Sequence, residues 1–279
     1  MVPVTRLEKN DVLAGLFGCW DDIDALLSTL SDDQWPAPTP LPGWTVHDVV
    51  AHMIGTESLL QGIPTPTADC DVSELPHVHN QVGVLNECWV RHLRPESPVG
   101  MLDRFREITG ERRGALSEMT DGDWNAQTAT PAGPDTYGRF MRVRTFDCWM
   151  HEQDIREAVG VWAADEVLAG PAATQTFDEI TAGLGYIVGK LGGAPDGSRI
   201  AFELTGPLQR TLRVAVDGRA RVVDGFDGAL PTATIQVDGV LFTRLIGGRT
   251  AADANVNALE LSGDTDVARR IAENLKFVM

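Results

Sequence analysis

The chain has 279 residues but only four cysteines, Cys19, Cys70, Cys88 and Cys148, with no Cys-x-x-C spacing. A chain of this size does not need disulfide staples, and scattered thiols fit a reducing cytoplasm. Basic residues are also scarce. Lys plus Arg total 23 against 40 Asp plus Glu, a net charge of -17, which excludes long-range attraction to nucleic acid or to an anionic membrane surface. No window approaches the roughly 18 to 20 apolar residues of a membrane span. The opening Met1-Val-Pro-Val-Thr-Arg-Leu-Glu-Lys9 lacks the apolar core of a signal peptide. The Gly-rich stretches at 192–197 and 247–248 lack the strand-loop-helix setting of a nucleotide cradle. These absences point to a soluble, cytoplasmic protein that handles small molecules.

The length suggests two domains, and the texture changes past Gly160, so we divide the chain into 1–162 and 163–279. In the first part, apolar residues recur by threes and fours from Leu7 to Leu30 and predict an amphipathic helix. Pro36, Pro38, Pro40 and Pro42 then enforce an extended loop. Thr45 caps a second helix over about 45–61, with Asp48 completing a capping box. Trp44, just before the cap, suits packing at the helix entrance. Helical patterning returns at 78–93 and 98–119, interrupted at Pro95 and Pro98, as one broken helix or two. A last helix over 137–159 stops at Gly160. Arg104, Arg106, Arg112 and Arg113 read as a solvated helix face.

The second part reads as α+β. A short helix near 171–190 precedes alternating segments at 199–205, 210–216 and 219–224, which predict antiparallel strands with tight turns. A strand at 232–237, a helix at 239–246, a strand at 258–262 and a helix at 265–277 capped by Asp264 complete the pattern.

The chemistry concentrates in Arg144-Thr-Phe-Asp-Cys-Trp-Met-His-Glu-Gln-Asp154. Asp147 and His151 stand four apart on a helix and so project from one face. Such a pair can hold two corners of a divalent metal site, with the third ligand coming from another helix. His52 is the best third ligand. It lies among Val49, Met53 and Leu60 on the inward face, whereas His47 points about 140° away. Asp154 returns to the face of His151 and can orient its ring through the second nitrogen. Metal bonds of about 2 Å require the three ligand atoms to lie within about 4 Å of one another. Two His and one carboxylate leave an open position on zinc, the arrangement of a catalytic site. They also admit iron, nickel or manganese. The same residues can instead form a buried Asp-His pair with no metal, and both readings stand. Cys148 faces about 100° from Asp147 and reads as a core residue.

The strings Leu41-Pro-Gly-Trp-Thr-Val-His-Asp-Val-Val-Ala-His52 and Trp149-Met-His-Glu-Gln-Asp-Ile-Arg156 resemble the mycothiol-dependent maleylpyruvate isomerase family. The resemblance implies a DinB-like four-helix bundle that binds a divalent metal, usually zinc. The ligands would be a His of the second helix and a Glu-x-x-x-His pair of the fourth. His52 matches the first ligand and His151 the last. Asp147 falls where the family usually has Glu and is one methylene shorter. Gly239-Val-Leu-Phe-Thr-Arg-Leu-Ile-Gly-Gly-Arg249 and Leu259-Glu-Leu-Ser-Gly-Asp264 look like the family's small C-terminal domain, which is similar to sterol-carrier-like domains.

The resulting expectation is a metal-dependent enzyme that uses mycothiol, a low-molecular-weight thiol, as cosubstrate. It would hold the thiol as thiolate and present it to a small electrophile for transfer or isomerisation. Arg91 and Arg249 are the candidates for holding an acidic substrate, against the plainer readings of a solvated helix face and a carbonyl cap. Two rivals remain: a non-catalytic binding or regulatory bundle, and an apolar-ligand carrier built on the second domain. The oligomeric state is not legible.

Overall fold

The computed structural model describes residues 4–276 and resolves into two compact units that meet between Ala163 and Ala164. The first unit is helical. Its long helices are α1 (Lys9–Leu27), α2 (Val46–Leu60), α3 (Gln81–Leu93), α4 (Pro98–Glu118) and, after the single turn α5 (Asp121–Trp124), α6 (Tyr137–Val159). A two-residue hairpin, β1 (Gln127–Thr128) with β2 (Asp135–Thr136), leads into α6. The four-helix bundle comprises α1, α2, α4 and α6, with α3 flanking α2.

Local chemistry sets the boundaries. Thr45 Oγ1 accepts from the Asp48 amide, and Asp48 Oδ2 accepts from the Thr45 amide at 3.0 Å, so two otherwise orphaned donors of α2 are satisfied. Ser97 caps α4 with Pro98 at its first turn, and Gly160 ends α6 in the left-handed region at φ 69°. The 78–119 stretch is therefore two helices, broken where Pro95 and Pro98 cannot continue the ladder. Leu16, Trp20 and Ile23 of α1, Val49 and Met53 of α2, Phe105 of α4 and Trp149 of α6 fill the core. The approach of α3 to α2 depends on Gly55, because a Cβ there would lie 2.4 Å from Trp89 Cγ.

The second unit begins with the single turn α7 (Asp165–Leu168) and α8 (Pro171–Tyr186), which runs on into a wider π turn at Ile187–Leu191. Strands β3 (Arg199–Thr205), β4 (Arg210–Asp217), β5 (Arg219–Val222), β6 (Ala233–Asp238) and β7 (Glu260–Gly263) form one sheet in the order β5-β4-β3-β6-β7. β3, β4 and β5 form the expected antiparallel meander, turned tightly at Gly218, φ 60°. β6 pairs parallel to β3 and antiparallel to β7. α8 packs on β4 and β5, α9 (Gly239–Ile246) on β3 and β6, and α10 (Thr265–Glu273), capped by Asp264, on β6 and β7. The predicted helix at 265–277 ends earlier, at Glu273, and its last residue, Phe277, lies outside the described residues. Among the described residues, no helix is long and apolar enough to cross a membrane.

One expectation about the first unit needs correction. Arg104 and Arg106 are exposed and paired with Glu96 and Asp24, but Arg112 is only 2% exposed. It turns inward because Glu57 on α2 offers a buried counter-charge 3.0 Å from its Nε.

Candidate metal centre

The inward faces of α2 and α6 bring His52, Asp147 and His151 together. His52 Nε2 lies 3.1 Å from Asp147 Oδ2, and His151 Nε2 lies 3.5 Å from Asp147 Oδ1. One ligand atom from each residue lies within 4.8 Å of the others. This is wider than the expected span of about 4 Å. Side-chain exposure is 6% for each histidine and 32% for Asp147, so the cluster opens to solvent on the carboxylate side.

Each group is held by neighbours. Asp154, fully buried, faces His151 Nδ1 from 3.1 Å through Oδ2. A carboxylate accepts, so His151 donates from Nδ1, and in the neutral ring its Nε2 is then a bare acceptor. That acceptor faces the Asp147 carboxylate, which is also an acceptor. A proton on the imidazole makes this contact an ion pair, and a metal ion between the two would serve the same end. His52 is held by a ring contact with Trp44 at 5.2 Å between centroids, and its Nδ1 has no hydrogen-bond partner among the described residues.

The electrostatics follow from this packing. Burial pushes the His52 imidazole down, toward the neutral form a metal ligand needs, although Asp147 opposes the shift. Burial also acts to lower His151, but Asp147 and Asp154 outweigh it and raise the ring. Burial would raise Asp147, yet His151, Arg144 and His52 together hold its carboxyl well below the usual range. Cys148 is fully buried, and burial pushes its thiol up to about 12.

The cluster's possible ligands, His52, Asp147 and His151, do not include the other sequence candidates. His47 turns away, its Nε2 3.1 Å from the Glu96 carbonyl oxygen. Arg91 on α3 faces Glu87 at 3.6 Å and Asp69 at 3.4 Å. Glu87 in turn accepts from Trp44 Nε1 at 3.1 Å, which links Arg91 to the wall of the cluster through two side chains. Arg249 belongs to the second unit, where its Nη1 donates to the Gly247 carbonyl at 2.7 Å. Sequence reasoning missed Trp44 as a wall of the site, and also missed Glu57, Arg112 and Arg144. The latter three form a buried ion-pair chain that ends on Asp147. A signal was available for Arg144 alone, since Arg144, Asp147, Cys148 and His151 fall at spacings of three and four on one helix.

The fold and site define a helical-bundle protein with a two-histidine, one-carboxylate cluster, followed by a small α+β unit. The chain belongs to the mycothiol maleylpyruvate isomerase family: residues 16–156 match the mycothiol maleylpyruvate isomerase N-terminal domain, and residues 174–270 match the family's C-terminal domain. Two uncharacterized proteins of Mycobacterium tuberculosis, one from strain CDC 1551 / Oshkosh and one from strain ATCC 25618 / H37Rv, are each 28% identical over 141 residues, covering 50% of this chain and 53% of the relative. The chain thus spans about half the length of the curated relatives it matches. Crystal structures of the mycothiol-dependent maleylpyruvate isomerase and of a histidine-to-alanine mutant of it both superpose with a TM-score of 0.56. They cover 92% of this chain and 93% of theirs at 15% and 16% identity, which establishes a shared fold.

Proposed function

We propose that the helical unit binds a divalent metal, zinc in the first instance, through His52, Asp147 and His151. On this reading the protein is a cytoplasmic enzyme that uses mycothiol to transfer a thiol to, or isomerise, a small electrophilic substrate. The observation that carries the reading is the convergence of one ligand atom each from His52, Asp147 and His151 within 4.8 Å, in a cluster open to solvent on the carboxylate side. The donor set suits the group: two imidazoles and one carboxylate bind zinc and leave a position free. Donors about 2.0 to 2.2 Å from one tetrahedral ion lie about 3.3 to 3.6 Å apart, so the 4.8 Å spread needs a side-chain closure of about 1 Å. When bound, the metal would supply a Lewis-acid position that favours the thiolate form of a thiol at neutral pH.

The protein's own residues do the rest. Asp154 fixes the His151 tautomer, which leaves Nε2 free to act as a ligand. Trp44 covers one side of both imidazoles, 5.2 Å from His52 and 6.5 Å from His151 between ring centroids, and keeps water from that side. Arg91 is proposed to hold an anionic group of the substrate, and Arg249 a carboxylated ligand in the second unit; Arg91→Ala should then raise KM for an acidic substrate more than it lowers kcat.

The thiol half of the proposal has a spectroscopic test. Cobalt-loaded protein titrated with mycothiol should develop a sulfur-to-metal charge-transfer band and release about one proton per site, because the thiol must ionise to coordinate. Glutathione should do so poorly. A cobalt spectrum unmoved by every thiol, with the metal still bound, would favour a non-catalytic binding protein.

A further inference from the structure

Asp147 is a short carboxylate at a site that must hold its oxygens still, and the structure contains a device for this. Arg144, one turn earlier on α6 and 3% exposed, donates from Nη1 to Asp147 Oδ2 at 2.5 Å. Its Nε donates to Glu57 Oε1 on α2 at 2.9 Å, and its Nη2 lies 3.5 Å from Cys148 Sγ. The other oxygen of Glu57 accepts from Arg112 Nε on α4 at 3.0 Å, and Arg112 Nη2 donates to the Tyr137 hydroxyl at 2.9 Å. Glu57 is 1% exposed and Arg112 2%. Two positive and two negative side chains thus run as a balanced, hydrogen-bonded line across three helices and end at the carboxylate of the cluster.

Such a line is costly to bury, and a bundle core of apolar residues would be at least as stable. Its geometry serves a different end. A planar guanidinium fixes two carboxylates at once in a way that a lysine ammonium cannot. With Oδ2 held by Arg144, the Asp147 side chain cannot rotate away from the two imidazoles.

We infer that Arg144 is a positioning residue for the metal-site carboxylate, anchored by Glu57, with Arg112 holding Glu57 in place. The inference rests on the metal reading above. It predicts that the set Asp147–Arg144–Glu57 acts as one unit: loosening the far end at Glu57 weakens metal binding although Glu57 does not touch the cluster. It also predicts that Arg144→Lys, which keeps the charge but not the fork, fails to restore binding.

The test is cobalt affinity by competition with a chelator, together with the cobalt d–d spectrum, on folded protein well below each variant's melting temperature. Native protein should bind cobalt. Arg144→Gln, Arg144→Lys and Glu57→Gln should each bind it roughly ten- to a hundredfold more weakly, as loss of a ligand's outer partner typically does, with altered d–d bands. If the single variants do not fold, the charge-balanced pair Glu57→Gln with Arg112→Met decides, since it removes one buried charge of each sign. That pair should lose affinity in the same direction. Variants that fold with a lowered melting temperature but with native cobalt affinity and spectrum would overturn the positioning role and leave only a structural one. If the native protein itself binds no cobalt, the metal reading fails, and with it the premise of this inference.

Discussion

The two units stabilise themselves on different terms. The helical unit buries Glu57, Glu87, Arg112, Arg144, Glu152, Asp154 and Arg156, each within a paired or hydrogen-bonded arrangement. The α+β unit fills its centre with Phe177, Phe202 and Phe242, whose rings lie 5.6 to 6.4 Å apart about Phe242. Buried charge is tolerated where geometry must be held, and apolar packing suffices where volume alone must be filled. The contrast is one of degree, since the α+β unit also buries Glu179 and Arg244; the buried chain Arg112–Glu57–Arg144 lies in the unit that carries the His52, Asp147 and His151 cluster.

The contrast can be broken by substitutions, and the largest effect is expected in the second unit. Phe242→Ala should destabilise it by about 4 kcal/mol through the cavity left against Phe177 and Phe202, measured by denaturant unfolding. A loss below about 1 kcal/mol would mean this core is not close-packed. In the first unit, Arg156→Met leaves Glu152, 2% exposed, without the partner 2.7 Å away, and should cost about 3 kcal/mol. The double variant with Glu152→Leu should recover much of that loss. Additive losses instead would show that the pair is not coupled.

A third substitution adds a pH dependence. Burial would raise the Asp135 carboxyl, but hydrogen bonds from Arg139, Thr5 and Thr136 bring it down to about 2. A folded pKa below the unfolded one contributes stability above the unfolded value, near pH 4, and that stability is lost as pH falls toward 2. Asp135→Asn should therefore lower stability by about 2 kcal/mol at neutral pH and flatten the acid limb between pH 4 and 2. An unchanged acid limb would assign the hydrogen bonds no net effect. The smallest expected effect is Thr45→Ala, about 1 kcal/mol for loss of the α2 capping box, read as a shift in melting temperature.

Legibility in the sequence followed the range of the forces involved. The long helices were readable because their apolar period, caps and prolines are local, as at Thr45, Pro98 and Gly160. The turns α5 and α7 and the β1–β2 hairpin are too short to show a period. The parallel pairing of β3 with β6 joins Phe202 to Ile235, and no local pattern records such a partner. At the site, the i, i+4 spacing of Asp147 and His151 and the inward register of His52 pointed to one cluster. Arg112 and Glu57 look in sequence like ordinary charged helix residues. Their burial depends on a counter-charge from a different helix, and that is tertiary information.

The most direct test of the central claim is the metal stoichiometry of the purified protein, saturated with zinc and freed of excess, beside His52→Ala, His151→Ala and His47→Ala. About one equivalent per chain is expected in the native protein and in His47→Ala, and essentially none in the other two, because ligation needs both inward imidazoles. A native protein that retains no metal, or equal retention in all four proteins, would contradict the account.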